Sequence, residues 1–157
     1  MSSVKLSHTL APSRILASLH AKNRWEAIDE LVDAMVKDNT VLPEKRRDVI
    51  DALVAREQSM STGIGFGVAI PHASTNGIGQ VALAVGVSKG GVDFEALDGK
   101  PVHIVALFLV PSGEYQNHLK TLAFLSRLLN EKGFRKDLEK SKTPEEIYAV
   151  FKKRHDG

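Results

Sequence analysis

The stretch that most constrains the local fold of this chain reads Ser61-Thr62-Gly63-Ile64-Gly65-Phe66-Gly67-Val68-Ala69-Ile70-Pro71-His72. Its first half is rich in glycine, and its second half is an extended apolar segment that stops at a proline. Pro71 cannot donate a hydrogen bond to a neighbouring strand, so regular pairing is expected to end there. The sequence therefore predicts that His72 is held at a strand end, beside free main-chain N–H groups. Such a loop suits an anion, and an imidazole held there could attack a phosphoryl group.

Helices are predicted on both sides of this stretch. Upstream, Asn23 begins a helix with Glu26 as its capping-box partner, and Pro43 occupies the first position of a second helix. Downstream, a leucine-rich helix is expected to end at Gly133, and the motif at 143–146 is a strong start for the last helix. The residues predicted to form the apolar face of the first helix are Trp25, Ile28, Val32, Met35 and Val36.

Strands are predicted between these helices. Residues 14–19 read as a short strand, and hydrophobic residues alternate with small ones over 81–87. Residues 104–110 are uninterruptedly apolar, which is typical of a central strand covered on both faces. Because helices come before, between and after the strands, we expect one α/β domain with helices on both faces of a sheet.

Composition excludes several classes of function. The 157 residues suit one domain, the formal charge is only +2 with both signs interspersed, and there is no cysteine. The start, Met1 to Lys5, has no apolar signal region, and no apolar run approaches the roughly 20 residues of a membrane span. We therefore expect a cytoplasmic protein that does not bind nucleic acid. Because no metal-ligand motif is present either, we expect no metal and no cofactor.

Three segments carry a resemblance to a known family: Glu57 followed by 64–73, the run 92–102, and the run 118–123. The first is similar to the phosphorylation-site signature of enzyme IIA domains of the bacterial phosphotransferase system, fructose/mannitol class. The other two resemble the nitrogen-regulatory branch of that class. The resemblance implies a mixed sheet flanked by helices. It also implies a single domain over residues 1–157, with its core at about 6–153.

The resemblance also implies a set of site residues. His72 would be the phosphorylated nucleophile, His118 a second histidine that contacts the phosphoryl group or orients His72, and Arg56 a guanidinium that clamps phosphoryl oxygens. The residues expected to form a phosphate loop are Ser61, Thr62, Gly63, Gly65 and Gly67. Phe66 departs from the family, which usually has a polar residue there, and this departure leaves the surroundings of His72 and the fit of the carrier open.

Other interpretations remain beside each of these. A histidine after a turn is common, His118 reads equally as a helix-surface residue, and Arg56 suits any helix C-terminus. The hydroxyls of the loop could simply cap a turn. The glycines do not form a nucleotide-binding loop, because a helix precedes them and an extended segment follows. Outside the motif, His103 is expected to be structural or exposed, and His8, His20 and His155 are expected to be exposed.

The expected function is that of a phosphocarrier with a phosphohistidine intermediate and no independent turnover. The phosphoryl donor would be the histidine-containing phosphocarrier protein (HPr type). Because no permease segment accompanies the domain and the run 92–102 resembles the nitrogen-regulatory branch, we expect mainly a phosphorylation-controlled regulator with a protein target. The alternative is a sugar-specific enzyme IIA that passes the group to a fructose- or mannitol-type permease domain.

Overall fold

A computed structural model describes residues 5–154, and the predictions for Met1 to Val4 and for His155 lie outside them. The strands are β1 (Ile15–Leu16), β2 (Gly63–Gly65), β3 (Val68–Ala69), β4 (His72–Thr75), β5 (Ala82–Val92) and β6 (Val102–Pro111). The helices are α1 (Arg24–Lys37), α2 (Arg46–Ser59), α3 (Leu119–Asn130), α4 (Lys132–Lys140) and α5 (Pro144–Lys152). Four short 3₁₀ turns join them: Leu6–Thr9, Pro12–Arg14, Pro43–Lys45 and Tyr115–His118.

The six strands form one mixed sheet in the order β1-β5-β6-β3-β2, with β4 beside β6 beyond the end of β3. Strands β5 and β6 are antiparallel, whereas β1 pairs with β5, and β3 and β4 pair with β6, in parallel. One hydrophobic cluster lies between the sheet and helices α1 and α2, and a second lies between the opposite face and α3, α4 and α5. The predicted α/β domain with a mixed sheet and helices on both faces is confirmed.

The helix starts follow the sequence closely. The Asn23 side chain accepts a hydrogen bond from the Glu26 amide, and the Glu26 carboxylate in turn accepts from the Lys22 amide, one residue earlier than in the usual capping box. Thr143 caps α5 in the same way, with Pro144 at the first helical position. Pro43 begins a 3₁₀ turn, and the α-helix starts only at Arg46.

Two predictions about helices are wrong. Trp25 is 37% exposed and does not belong to the buried face of α1. Its ring instead lies under the Arg24 guanidinium, at 4.4 Å from the ring centroid. Gly133 does not end the leucine-rich helix, since α3 stops at Asn130 and Gly133 lies within α4. The extended backbone of Glu131 separates the two helices, and a glutamate does not by itself predict a helix end.

Candidate functional site

His72 opens β4 at the edge of the sheet, directly after the interruption at Pro71. β4 has β6 as its neighbour, with His72 opposite Phe108. The Pro71 carbonyl accepts a hydrogen bond from the Phe108 amide, so the chain stays attached to the central strand across the interruption. His72 is therefore held at the start of a strand, and the preceding strand ends three residues earlier, at Ala69.

One hydrogen bond sets the chemistry of the His72 ring. Nδ1 lies 2.8 Å from the Ile70 carbonyl oxygen. A carbonyl can only accept, so Nδ1 carries the proton and donates it to Ile70. In neutral imidazole the lone pair then resides on Nε2. No described residue forms a hydrogen bond with Nε2, which is the nitrogen available to attack an electrophile.

The environment keeps that imidazole neutral. Burial lowers the pKa of His72 below its ordinary value of 6.5. The hydrogen bond to Ile70 raises the pKa, the positive charge of Arg56 lowers it, and the negative charge of Glu57 raises it. Because the net shift is downward, the nucleophilic form of His72 predominates at pH 7.

A cavity of about 300 Å³ adjoins His72. Its lining residues are Ala52, Arg56, His72, Ala73, Ser74 and Tyr115. The residues from α2 approach from one face of the sheet, and Tyr115 from the turn before α3 approaches from the other. Arg56 is the one charged residue with a fixed charge in this lining, so the cavity favours an anion.

The Arg56 guanidinium is partly occupied by its own helix end. Nη1 donates to the Met60 carbonyl at 2.8 Å, and the Ser59 hydroxyl lies at 3.5 Å from the same nitrogen. Within residues 5–154, Nη2 and Nε have no hydrogen-bond partner. A guanidinium has five N–H donors in a planar fork, so it can still bind two oxygens of a phosphoryl group.

Glu57 connects the end of α2 to His72 through the start of the glycine-rich segment. The fully buried Glu57 carboxylate accepts hydrogen bonds from the Thr62 hydroxyl at 2.6 Å and the Thr62 amide at 2.9 Å. The Thr62 carbonyl accepts from the Ile70 amide at 3.1 Å, and the Ile70 carbonyl binds His72. This chain of hydrogen bonds fixes the end of α2 relative to His72. The sequence identifies Glu57 only as part of the motif and gives no sign of its burial.

The predicted phosphate loop is a β-hairpin. Strands β2 and β3 are antiparallel, and Phe66 and Gly67 form a two-residue turn in which both φ angles are positive, at 59° and 78°. Val68 lies opposite Ile104 and His72 opposite Phe108, so the turn at the hairpin tip lies at least four residues, or about 13 Å along the sheet, from His72. The open end of the hairpin is nearer, because Thr62 is hydrogen-bonded to Ile70.

The residues of that segment form structural contacts within the protein, and their contact with a phosphoryl group stays a prediction. The Ser61 hydroxyl donates to the Phe94 carbonyl and accepts from the Gly63 amide, and the Thr62 hydroxyl donates to Glu57. A Cβ at Gly63 would lie 2.8 Å from the Ala96 side chain, so this glycine permits close packing. The segment positions His72 through Thr62 and Ile70, as described above.

His118 does not line the cavity around His72. Its side chain is 11% exposed, its Nε2 lies 3.5 Å from the Glu114 carboxylate, and its buried Nδ1 has no partner among residues 5–154. It is the last residue of the 3₁₀ turn Tyr115–His118, in which residues i and i+3 lie on the same side. Tyr115, at the start of this turn, is the residue that lines the cavity and pairs with the His72 ring, and no pattern in the sequence points to it.

The other residues named in the sequence analysis lie away from the cavity beside His72. Phe66 is 67% exposed at the hairpin tip, with the Arg135 guanidinium 5.1 Å from its ring centroid, so it leaves the surroundings of His72 unchanged. His103 is half-buried, and His8 and His20 are exposed, as expected. Within the described part of the chain, no helix is both long and apolar enough to cross a bilayer.

Residues 9–154 match the family described as "Phosphoenolpyruvate-dependent sugar phosphotransferase system, EIIA 2". The chain therefore belongs to this enzyme IIA family, and the resemblance inferred from the motifs is confirmed.

Relatives of two kinds are similar to this chain. The fructose-specific EIIABC component of the phosphotransferase system of Bacillus subtilis is 35% identical over 153 residues, which are 98% of this chain and 24% of that protein. A "Nitrogen regulatory protein" of Bradyrhizobium diazoefficiens is 33% identical over 146 residues, which are 93% of this chain and 94% of that protein.

A solved structure agrees with the fold. The crystal structure of the nitrogen regulatory protein IIA-Ntr from Neisseria meningitidis matches this chain with a TM-score of 0.83 and 30% sequence identity. The match covers 93% of this chain and 98% of the Neisseria chain.

Proposed function

We propose that this protein accepts a phosphoryl group on Nε2 of His72 from a phosphohistidine of the histidine-containing phosphocarrier protein (HPr type). The observation that carries the proposal is the bond from Nδ1 to the Ile70 carbonyl, which leaves a lone pair on Nε2 beside an Arg56-lined cavity. Membership of the enzyme IIA family supports the same role. The protein acts as a carrier with a phosphohistidine intermediate, and it has no independent turnover.

The transfer balances without a proton leaving the site. The Nε2 lone pair forms a new P–N bond while the P–N bond in the carrier breaks and its electron pair returns to the carrier's imidazole. The Nδ1 proton of His72 remains hydrogen-bonded to Ile70 throughout. Phosphoryl transfer of this kind needs positioning and charge stabilisation more than covalent help from the protein. Arg56 supplies the charge, and the bonds through Glu57 and Thr62 supply the positioning.

His118 has a supporting role in this proposal. Its Nε2 lies 3.5 Å from the Glu114 carboxylate, and a hydrogen bond from the buried Nδ1 to a further acceptor would satisfy a nitrogen that has no partner among residues 5–154. A buried nitrogen without a partner costs about 1–3 kcal/mol, so a state in which Nδ1 gains an oxygen partner is favoured. We expect His118→Ala to slow phosphoryl transfer by less than the roughly 10²-fold typical of a direct donor, with an unchanged circular dichroism spectrum.

The phosphorylation test uses phosphoenolpyruvate, enzyme I and the phosphocarrier protein as the donor chain. Wild type should acquire one acid-labile, base-stable phosphoryl group, and nuclear magnetic resonance of the imidazole should place it on Nε2. His72→Ala should remain unlabelled. Full labelling of that variant, or a phosphoryl group on Nδ1, contradicts the proposal.

Regulation is the output we propose for the phosphorylated protein. Three similarities support this proposal. The chain covers 94% of the Bradyrhizobium nitrogen regulatory protein, its fold matches the IIA-Ntr structure, and its run 92–102 resembles the nitrogen-regulatory branch. A phosphoryl group adds roughly two negative charges beside Arg56, so a partner that covers His72 would distinguish the two states electrostatically. The 35% identity to the fructose-specific protein favours the second candidate, transfer to a fructose- or mannitol-type permease domain.

The two outputs are separated by partner capture with phosphorylated wild type and with His72→Ala. Regulation predicts a non-transporter protein whose affinity differs between the two baits. If a sugar-permease domain is the sole partner and it removes the phosphoryl group from the labelled protein, the transfer function is correct and regulation is wrong.

A further inference from the structure

Tyr115 forms a stacked pair with the nucleophile. The ring centroids of Tyr115 and His72 are 6.4 Å apart, with an angle of 16° between the ring planes. That separation lies within the 4.5–7 Å range of attractive aromatic pairs. Both residues line the cavity that also contains Arg56. The pair brings together residues 43 positions apart in sequence, on separate elements of the fold.

The stacked ring belongs to an element of the fold other than β4. Strand β6 ends at Pro111, and Gly113, with φ of 84°, turns the chain into the 3₁₀ turn that begins with Tyr115. The Tyr115 side chain is half-buried and packs on the hydrophobic cluster beneath α3. The Tyr115 ring is therefore fixed by the core and offers a rigid surface on which the His72 ring packs.

Two contacts together determine the orientation of the His72 imidazole. The hydrogen bond to Ile70 fixes the position of Nδ1 but still permits the ring to tilt about that contact. A parallel ring at the face restricts the tilt. Nε2 lies in the ring plane, so a neighbour at the face leaves its lone pair accessible. Alignment of the attacking atom is a large part of the rate of transfer between two bound groups.

We propose that Tyr115 is a positioning residue for phosphoryl transfer, whose aromatic ring holds the plane of the His72 imidazole so that Nε2 faces the incoming phosphorus. This inference rests on the proposed phosphorylation of His72. The ring, and not the hydroxyl, carries the effect.

The ring also contributes to the burial of His72, and burial is the main cause of the lowered pKa. The charges that act on His72 are those of Arg56 and Glu57 from α2. On the opposite face, Tyr115 presents a neutral phenol, and the partner on β6 is the apolar Phe108. Removing the ring therefore changes the solvation of His72 without changing a neighbouring charge.

Three variants separate the effects of the ring, the hydroxyl and the apolar bulk: Tyr115→Phe keeps the ring, Tyr115→Leu keeps a smaller apolar side chain for the core, and Tyr115→Ala removes both ring and bulk. Tyr115→Leu should slow transfer roughly 2- to 10-fold, the range that one aromatic pair supplies. Tyr115→Phe should restore the rate. Tyr148→Phe, which removes a hydroxyl bonded to the Ser7 carbonyl from a tyrosine on the same cluster, is the matched control.

The second readout is the His72 imidazole itself, observed by nuclear magnetic resonance in the unphosphorylated protein. In Tyr115→Leu its pKa should rise toward 6.5, while Tyr115→Phe should match wild type. This readout needs no phosphoryl donor, so it tests the stacking even if His72 proves not to be phosphorylated. A wild-type rate and an unchanged imidazole in a folded Tyr115→Leu overturn the inference, as does a Tyr115→Phe that is as slow as Tyr115→Leu.

Discussion

His72 and His103 lie toward opposite ends of β6, and each forms the same kind of hydrogen bond, but different residues line the cavities beside them. His72 and His103 are both half-buried, and each places Nδ1 at 2.8 Å from a backbone carbonyl, of Ile70 and Ser88 respectively. Both rings therefore carry their proton on Nδ1 and their lone pair on Nε2 when neutral. The tautomer alone therefore does not distinguish the two histidines.

The difference lies in the charges around each ring. His103 adjoins a cavity of about 210 Å³ that contains both Lys89 and Glu139, with the Lys89 ammonium donating to the Glu139 backbone carbonyl. The cavity beside His72 contains Arg56 and no carboxylate. A phosphoryl group brings about two negative charges, so a cavity with one guanidinium attracts it, whereas a neighbouring carboxylate opposes it.

The largest effect should come from removing one histidine at a time. We expect His72→Ala to abolish phosphorylation although His103 remains in the same tautomer. His103→Ala should be labelled as fully as wild type. The measurement is phosphate stoichiometry by intact-protein mass spectrometry under alkaline conditions. Appearance of label on His103 in the His72→Ala variant would show that the tautomer matters more than the surrounding charge.

Replacing the guanidinium tests the charge directly. Arg56→Lys keeps a positive charge but loses the planar fork that binds two oxygens, so we expect transfer to slow by on the order of 10²-fold. Arg135→Lys is the matched control, because Arg135 is also half-buried and lies over the exposed Phe66 ring. Single-turnover labelling rates should fall in the first variant alone. Equal labelling rates in the two variants would mean that Arg56 acts only as a cation at the helix end.

The pKa of His72 gives a smaller but quantitative test. Burial lowers this pKa, and Arg56 contributes a further downward shift, so Arg56→Gln should raise the pKa of His72 while leaving it below 6.5. Titration of the imidazole by nuclear magnetic resonance measures this, and Arg135→Gln should leave it unchanged. A pKa of His72 at or above 6.5 in wild type would contradict the neutral nucleophile.

The same shift has a consequence for stability. Because the folded-state pKa of His72 lies below the unfolded value, the unfolded chain binds more protons between the two values. The free energy of unfolding should therefore decrease as the pH falls below about 6.5, and the decrease should level off below the folded pKa. In His72→Gln this part of the pH dependence should disappear.

The sequence was sufficient to predict those parts of the fold and of the candidate site that depend on local rules. The pattern at 143–146 and the cap at Asn23 act over one helical turn, so local rules were enough to predict them. The uninterrupted apolar run of β6 likewise identified the central strand. The position of His72 followed from Pro71 and the family motif together.

The parts that escaped prediction depend on contacts between distant segments. The stacking of Tyr115 on His72 and the burial of Glu57 arise only when the sheet has assembled. The hairpin geometry of the glycine-rich segment was not predicted, because a glycine-rich run permits both a loop and a hairpin turn with positive φ, and sequence alone does not decide between them. The hairpin is defined by the antiparallel pairing of Gly65 with Val68.

The hairpin tip, at the His103 end of the sheet, should yield the smallest effect. Phe66 has φ of 59° in a turn type that favours asparagine, and a left-handed conformation costs a residue with a bulky side chain about 1–2 kcal/mol. Asparagine relieves most of that strain but loses the contact with Arg135, worth about 0.5–1 kcal/mol at an exposed site. The backbone term is the larger, so Phe66→Asn should raise the free energy of unfolding by about 0.5 kcal/mol.

Arg135→Ala provides the background that separates the two terms. Without the guanidinium, Phe66 has no cation contact to lose, and Phe66→Asn should then stabilise by about 1 kcal/mol. Urea denaturation of the four proteins in this cycle measures both values. Because the turn lies about 13 Å along the sheet from His72, the phosphorylation rate should stay constant across the cycle. A destabilising Phe66→Asn in both backgrounds would mean that the exposed ring has packing value beyond Arg135, whereas a changed phosphorylation rate would mean that the carrier docks across the whole edge of the sheet, from the hairpin tip to His72.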